Sequence, residues 1–391
     1  MTQQNAILVV PHFRFSRGPD PGDFRKSLES VERSSSVRAC LLTVILVGIG
    51  AGIASAQQPI LDRVVLQPKR TSSRITLNGT VIDYTGEKIT VRMRQSSLIR
   101  SYPAAEVVEV RTPQTEHHVK GLVYFAQGDL QQAVRSFETT LKEEPRAWVR
   151  RDILALLVRC ALRQDDYTTA GSRFVSLWSS DPNTRHFLVI PLSWATRDLG
   201  GPLKTEALAW MHSSDEVPKL LGASHLLADL RYGDAAAGVL KLLATSTDRR
   251  VQQLARAQLW RLRVLEGNVT RDELHRWRSR IEAMPQPIRG GPYFVLGHGH
   301  LRRQEYDRAA LALLWLPFIY DDDTQLAARA CLEAADALSR IGQKTEAITL
   351  YREVSTRFRE TIYAQEAKTV LDSLLDEPGR KPSRQQTGMP D

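Results

Sequence analysis

The sequence contains little cysteine and no long hydrophobic run. Three cysteines in 391 residues cannot form a disulfide-rich scaffold, and no apolar stretch reaches the ~18–20 residues of a membrane-spanning helix. Cys160 and Cys331 lie in helical patterns, either as buried free thiols or as a pair. The nucleophile elbow, phosphate loop, HExxH and CxxC motifs are absent from the sequence. We therefore expect a protein that is not an enzyme and binds neither metal nor cofactor.

Positive charge is in excess, and it is unevenly distributed. Lysine and arginine number 53 against 44 acidic residues, which gives a formal net charge of +9. A hydrophobic fraction of 42% is typical of a globular protein. Residues 57–112 hold nine basic and five acidic side chains, and residues 249–289 hold ten and four. The excess therefore lies in two regions that could contact an anionic partner.

The first 56 residues are predicted to be a polar extension followed by an export signal. Arg38 precedes an apolar run over residues 39–53. Residues 54–56 (ASA) then have the small-x-small pattern that a signal peptidase recognises. The run is short for a bilayer span, which favours a cleaved signal over the alternative, a membrane anchor. Cleavage after Ala56 would make the protein periplasmic or secreted.

Residues 57–112 are predicted to form a small β domain. Short runs rich in Val, Ile, Thr and Tyr lie at residues 63–66, 75–84, 88–93, 97–102 and 107–110. Hydrophobic and polar residues alternate along them, so one face of the sheet should be buried. The segment resembles the SH3-like β modules that precede repeat domains in exported bacterial proteins. Its basic side chains either contact a polyanion or form a solvated strand face: Arg63, Lys69, Arg70, Arg74, Lys88, Arg92, Arg94 and Arg100.

Helical periodicity begins at residue 113, and its clearest unit is a helical hairpin. The pattern consists of Gly121, Tyr124, Gly128, Ala133, Phe137 and Pro145. Small residues at 121 and 133 let two helices cross closely, the aromatic residues fill the volume beside them, and Gly128 forms the turn. This pattern resembles the tetratricopeptide repeat (TPR), whose fold is a stacked array of such hairpins.

The small residue at Ala133 recurs along the chain. Ala170 and Ala207 follow at intervals of 37 residues. Six intervals separate Ala133 from Ala347, so the mean spacing is about 36 residues, close to the ~34 of this repeat class. About seven TPR- or HEAT-like hairpins therefore fit residues 113–375. The fold class is predicted to be mainly α, an α-solenoid preceded by the small β-barrel-like domain.

The last hairpin carries a second resemblance. Ala347, Tyr351, Phe358 and Tyr363 place one small and three aromatic residues where that hairpin leads into a capping helix. This arrangement is similar to the repeats of envelope proteins that help to assemble outer-membrane machinery. Residues 376–391 are rich in proline, glycine and polar side chains, and they are predicted to be a disordered tail.

The resemblance implies an exported, non-enzymatic scaffold or adaptor that binds a protein or peptide in the cell envelope. Stacked hairpins expose a concave groove lined by their first helices. By family likeness, the groove positions are Leu122, Phe125, Gln127, Val158, Leu162, Arg302 and Arg303. The family's basic clamp for a peptide carboxylate is not matched, because His118 and Leu122 occupy positions that would need Lys and Asn.

Residues 249–289 support a second hypothesis, a module that binds a polyanion or a surface. Its basic patch consists of Arg256, Arg261, Arg263, Arg276, Arg278 and Arg280, beside Trp260 and Trp277. Together with the basic β domain, the patch would bind cell-wall polymer or lipid headgroups, whereas export argues against nucleic acid. The alternative is that these arginines cover apolar surface with their stems and point their charges into solvent.

The histidine and aspartate clusters are not expected to bind metal. His298 and His300 are two residues apart on a predicted helix, whereas helical zinc sites use spacings of three or four. The aspartates at residues 321–323 lack the glycine and distal glutamate of a calcium loop. Asp323 is instead placed to cap the next helix, and Thr270 with Glu273 has the pattern of a capping box.

Overall fold

The computed structural model describes residues 62–69, 73–94, 96, 98–197 and 199–375. Contacts divide the chain into two units, one ending at Val119 and the other beginning at Lys120. The described part is mainly helical, with a small antiparallel sheet near its N-terminal end. The predicted signal segment (1–56) and tail (376–391) lie outside the described residues.

The first unit contains one antiparallel sheet of five strands. They are β1 (Asp62–Leu66), β2 (Ile75–Tyr84), β3 (Lys88–Met93), β4 (Ile99–Pro103) and β5 (Val107–Arg111). The strand order is β4-β3-β2-β1-β5, so the first four strands form a meander and β5 returns to pair with β1. The predicted β region is confirmed, and each strand boundary lies within two residues of its expected position.

Alternation along the strands buries one face of this sheet. Leu77 and Val81 on β2 and Ile89 and Val91 on β3 are all buried, and Val81 pairs directly with Val91 across the ladder. Ile75 has the same alternation but is 45% exposed. It is the first residue of β2 and lies at the end of the β1–β2 ladder.

The second unit consists of helices joined by short connections. They are α1 (Glu116–Gln127), α2 (Leu130–Glu143), α3 (Ala147–Arg163), α4 (Tyr167–Ser180), α5 (Gly201–Met211), α6 (Glu216–Leu226), α7 (Gly233–Leu243), α8 (Arg249–Glu266), α9 (Arg271–Glu282), α10 (Gly290–Arg302), α11 (Tyr306–Leu313), α12 (Trp315–Ile319), α13 (Thr324–Arg340), α14 (Lys344–Arg357) and α15 (Tyr363–Leu375). Most consecutive helices pack against each other. The division between the two units falls within α1.

Small residues occupy the helix crossings where the repeat spacing places them. Ala133, Ala170, Ala207 and Ala347 are all 0% exposed. A Cβ atom on Gly121 would lie only 2.6 Å from the ring of Phe137, so α1 and α2 approach as closely as the pattern requires. Gly128 forms the turn between them with a φ of +86°, a conformation that glycine adopts without strain.

The variant Ala133→Leu is expected to lower the free energy of unfolding by about 1–3 kcal/mol, because the crossing has no room for the added atoms. Thermal unfolding would show this as a reduced Tm. Gln131→Leu, at an exposed position of the same helix, is the matched control and should stay within about 0.5 kcal/mol of the parent. Equal melting temperatures for the two variants would contradict the repeat register.

The third predicted hairpin lacks its first helix. Residues 181–200 contain a single 3₁₀ turn at Phe187–Val189 and no α-helix in the part of this stretch that the structure describes. Pro182 and Pro191 each remove a backbone donor and disfavour helical geometry in the residue before them. The seven complete hairpins that the spacing predicts are therefore not all formed.

Residues 186–197, which we call the crossing segment, pack among α6, α8 and α10 instead. The Nε2 atom of His225 on α6 lies 3.0 Å from the carbonyl oxygen of Pro191. Gln258 on α8 donates its amide to the carbonyl oxygen of Ser193 at 3.0 Å. These bonds satisfy backbone acceptors that would otherwise be buried without a partner, so the irregular path is specified by side chains from two helices.

Trp194 fixes the end of this segment against α10. A Cβ atom on Gly291 would overlap the indole of Trp194, so only glycine permits the contact. Leu192 and Ser193 are each 2% exposed. The end of the crossing segment is therefore closely packed within the second unit.

Candidate functional site

The first helices of the second unit contact the last ones, at a junction that we call the seam. Arg159 on α3 pairs with Asp322 at 3.1 Å, and Gln325 on α13 donates to the carbonyl oxygen of Arg163 at 3.2 Å. Arg163 also pairs with Glu360 at 2.6 Å. Residues that are 162 to 197 positions apart in the sequence are thus neighbours in the structure.

A cavity of about 340 Å³ lies at the seam. Its lining consists of Phe125, Arg159, Arg163, Asp321, Asp322, Thr324, Arg357, Phe358 and Glu360. The guanidinium of Arg163 lies 5.0 Å from the centre of the Phe125 ring, and that of Arg357 lies 4.9 Å from the Phe358 ring. The cavity therefore combines two aromatic rings with a charged rim, and three arginines balance three carboxylates.

The acidic partners at the seam are partly exposed. The side chains of Asp321 and Asp322 are 55% and 52% accessible, and that of Glu360 is 37% accessible. Ion pairs of this exposure contribute little to stability, because water competes for both charges. A partner that brings its own charged side chains can exchange with them at low cost, while the half-buried ring of Phe125 offers apolar contact and the ring of Phe358, which is 3% exposed, does not.

One carboxylate beside the seam, that of Asp323, is half-buried and has a structural role. Asp323 accepts a hydrogen bond from the backbone N–H of Leu326 at 3.0 Å, which confirms the predicted cap of α13. The Tyr167 hydroxyl donates to the same carboxylate at 3.2 Å. Burial raises the pKa of Asp323. Burial also raises the pKa of Tyr167, and the nearby charge of Asp323 adds to that shift. The capping box of Thr270 and Glu273 is also confirmed.

Three of the predicted groove residues lie on α1. Phe125 lines the seam cavity, Leu122 is half-buried and Gln127 is exposed. On α3, Val158 is 0% exposed and Leu162 is 3% exposed, so neither offers surface to a partner. Leu162 faces the crossing segment across a separate small cavity.

The two predicted groove arginines on and beside α10 lie away from the seam cavity. Both are exposed. Arg303 pairs with Glu305 at 3.2 Å and donates to the carbonyl oxygen of Val269 at the same distance. Arg302 lines a different cavity, next to Trp194. The predicted groove residues therefore do not form one surface, because Phe125 and Arg302 line two different cavities.

Two of the six arginines of the predicted basic patch form ion pairs within the helices that carry the patch. Arg263 forms ion pairs with Glu266 at 3.0 Å and Glu273 at 3.5 Å, and Arg278 pairs with Glu282 at 3.1 Å. Arg256 donates to the carbonyl oxygen of Ala244 at 3.2 Å, and Arg276 and Arg280 are exposed. Local carboxylates therefore reduce the charge that this surface presents.

Arg261 is not on the surface with the rest of the patch. It is 4% exposed, and its guanidinium donates to the carbonyl oxygens of Ser193 and Ser224, each at 2.8 Å, and of Ala195 at 3.2 Å. The spacing places it on a basic stripe, but its hydrogen bonds to three backbone carbonyl groups of distant segments hold it inside.

The two histidines of the GHGH motif bind different carboxylates. His298 lies 2.7 Å from Glu333 and His300 lies 2.8 Å from Glu305. Burial lowers the pKa of His300. Burial alone would raise the pKa of Glu305, but hydrogen bonds from His300 and neighbouring arginines lower it to about 2. No group of potential metal ligands occurs among the residues that the structure describes.

Both described cysteines are buried free thiols. Cys160 and Cys331 form no disulfide, which resolves the alternatives that the sequence leaves open. Burial raises the pKa of Cys160 to about 11 and that of Cys331 to about 12. Both sulfurs therefore stay protonated near neutral pH and are poor nucleophiles.

Sequence reasoning assigned only one side chain of the seam cavity, Phe125, to a partner-binding surface. It missed Arg159, Arg163, Arg357 and Glu360, whose partners lie in other parts of the chain. Charged residues on helix surfaces are common, so nothing in their local pattern marks them. The aromatic residues at positions 125 and 358 are the nearest signal, and only Phe358 is flanked by charged residues.

No protein-family model, curated protein or solved structure matches this chain. Within the described ranges, none of the helices combines the length and the apolar character that crossing a membrane requires.

Proposed function

We propose that the protein is an exported, non-enzymatic scaffold of TPR-like hairpins with an SH3-like β module, and that it binds a protein partner at the seam cavity. The observation that carries the proposal is the cavity itself, with Phe125 at a predicted groove position and aromatic and charged side chains around it. The buried small residues at repeat spacing support the TPR-like, solenoid interpretation.

The chemistry of the cavity favours a short peptide segment of mixed charge. The half-buried ring of Phe125 can contact an apolar side chain, and Arg357 and Asp321, which pair at 2.6 Å, can exchange with charges of the partner. Because the cavity is near 340 Å³, it fits one or two side chains rather than a folded domain. Affinity would therefore depend on a few anchoring contacts.

Site-specific photo-crosslinking tests this proposal in the native cell. A photoreactive residue at Asp322, in the cavity rim, is expected to capture a discrete protein in the periplasmic fraction. The same residue at Leu242, which is 69% exposed on α7, is the matched control and should capture nothing discrete. Adding Phe125→Ala to the first variant should remove the crosslinked band, because it deletes the aromatic anchor.

Two results would contradict the proposal. Identical bands from positions 322 and 242 would show that capture is not specific to the seam. Binding that disappears at moderate salt and follows the number of exposed arginines would instead favour the alternative, a polyanion-binding module. Thermal unfolding of Phe125→Ala establishes that the loss of crosslinking is not a loss of fold.

A further inference from the structure

A second cavity lies where the crossing segment meets α8, α10 and α13. Its volume is about 300 Å³. Trp194 and Val295 contribute apolar surface, and Arg261, His298, Arg302 and Arg329 contribute cationic or titratable groups. We call this space the arginine cavity. Because Arg302 is exposed, the cavity can be reached from solvent.

The positive charge of the arginine cavity is not balanced by neighbouring carboxylates. Arg329 pairs with Glu333 at 2.8 Å, and the same carboxylate lies 2.7 Å from His298. Arg302 makes no ion pair with any residue that the structure describes. One carboxylate therefore faces three arginines, and a net positive charge remains at the cavity.

Arg261 is the least compensated of these arginines. The acceptors of its guanidinium in the described structure are neutral, namely backbone carbonyls and the Gln258 side-chain oxygen at 3.2 Å. Its Nε atom is buried and has no hydrogen-bond partner. Burial, with Arg197 and Arg329 nearby, lowers its pKa to about 10. A buried cation without a counter-charge is unfavourable, and a bound anion would relieve that cost.

We propose that the arginine cavity binds a small organic oxyanion, a carboxylate or phosphate group carried on an apolar body. The guanidinium groups of Arg261 and Arg302 would hold the anionic group, since arginine matches such groups with paired N–H donors. Trp194 and Val295 would contact the apolar body. The cavity is near the lower end of the volumes typical of small-molecule sites. This site is independent of the protein partner proposed for the seam.

Titration calorimetry on the whole purified protein tests the proposal. Benzoate and phenyl phosphate are the probes, and benzamide is the neutral control of the same shape. We expect both anions to bind with a Kd in the millimolar range or lower, and benzamide to give no heat of binding. Inorganic phosphate should bind more weakly than phenyl phosphate, because it lacks the apolar body. Inorganic phosphate binding as tightly as phenyl phosphate would overturn the role given to Trp194 and Val295.

Two single arginine variants distinguish binding in the cavity from general attraction between charges. Arg302→Gln should weaken phenyl phosphate binding about tenfold, the loss of one charge-assisted hydrogen bond. Its Tm without ligand should match that of the parent, because Arg302 is exposed and makes no ion pair with a described residue. Arg280→Gln, at an exposed position on α9, removes the same charge and should leave affinity unchanged. Equal weakening by both variants, or no heat from either anion, would overturn the proposal.

Discussion

The Gly222→Ala variant is expected to lose about 3 kcal/mol of stability or more, although the change adds a single methyl group. A Cβ atom at this position of α6 would overlap the backbone of Ala207 and Met211 on α5. Backbone atoms cannot move aside as a flexible side chain can, so the two helices would have to separate along their crossing. Denaturant unfolding followed by circular dichroism measures the loss.

Gly238→Ala is the matched control, and its effect should have the opposite sign. Gly238 lies in the middle of α7, and a Cβ there would meet nothing within 4 Å. Glycine in a helix interior is less stable than alanine by about 0.5–1 kcal/mol, so this variant should be slightly stabilised. If both variants changed stability by the same amount, the close approach of α5 and α6 would be refuted.

Mild acid is expected to destabilise the protein through His225. Its ring is 2% exposed and bound to Pro191. Burial lowers the pKa of His225 from 6.5 to about 3, and the nearby charges of Arg197 and Arg261 act in the same direction. The hydrogen bond to Pro191 opposes this shift. Since the unfolded chain takes up the proton first, stability should fall as the pH drops from about 6.5 toward 3. The contribution at pH 5 is about 2 kcal/mol.

The variant His225→Asn isolates this contribution. Asparagine does not titrate, so the fall in stability between pH 7 and pH 5 should be about 2 kcal/mol smaller than in the parent. His275→Asn, at an exposed histidine, is the control and should keep the pH dependence of the parent. Superimposable stability profiles for the parent and His225→Asn would rule out this explanation.

His225 contacts the crossing segment through Pro191, so its protonation affects the packing of that segment. Pro191 is two residues before Ser193, whose carbonyl oxygen accepts from Gln258 and Arg261. A charged imidazole cannot be accommodated in this buried position without water. Protonation of His225 is therefore expected to lower stability where the crossing segment packs.

Much of the candidate seam could not be predicted from the sequence. Phe125 was accessible to prediction because the repeat pattern places it on the inner side of its hairpin. Arg159 and Asp322 are 163 residues apart, and Arg163 and Glu360 are 197 apart. Their pairing depends on the packing angles between all the helices that lie between them in the chain. No local sequence pattern specifies the sum of these angles.

The sequence by itself determined the elements whose causes lie within a few residues. Alternation of apolar and polar side chains set the strands, small residues at repeat spacing set the helix crossings, and Thr270 and Asp323 set helix starts. Only the tertiary structure decided the path of residues 186–197, the burial of Arg261 and the joining of the first and last helices. These features depend on hydrogen bonds and packing between distant segments, where several carbonyl acceptors together can outweigh the preference of a charged side chain for water.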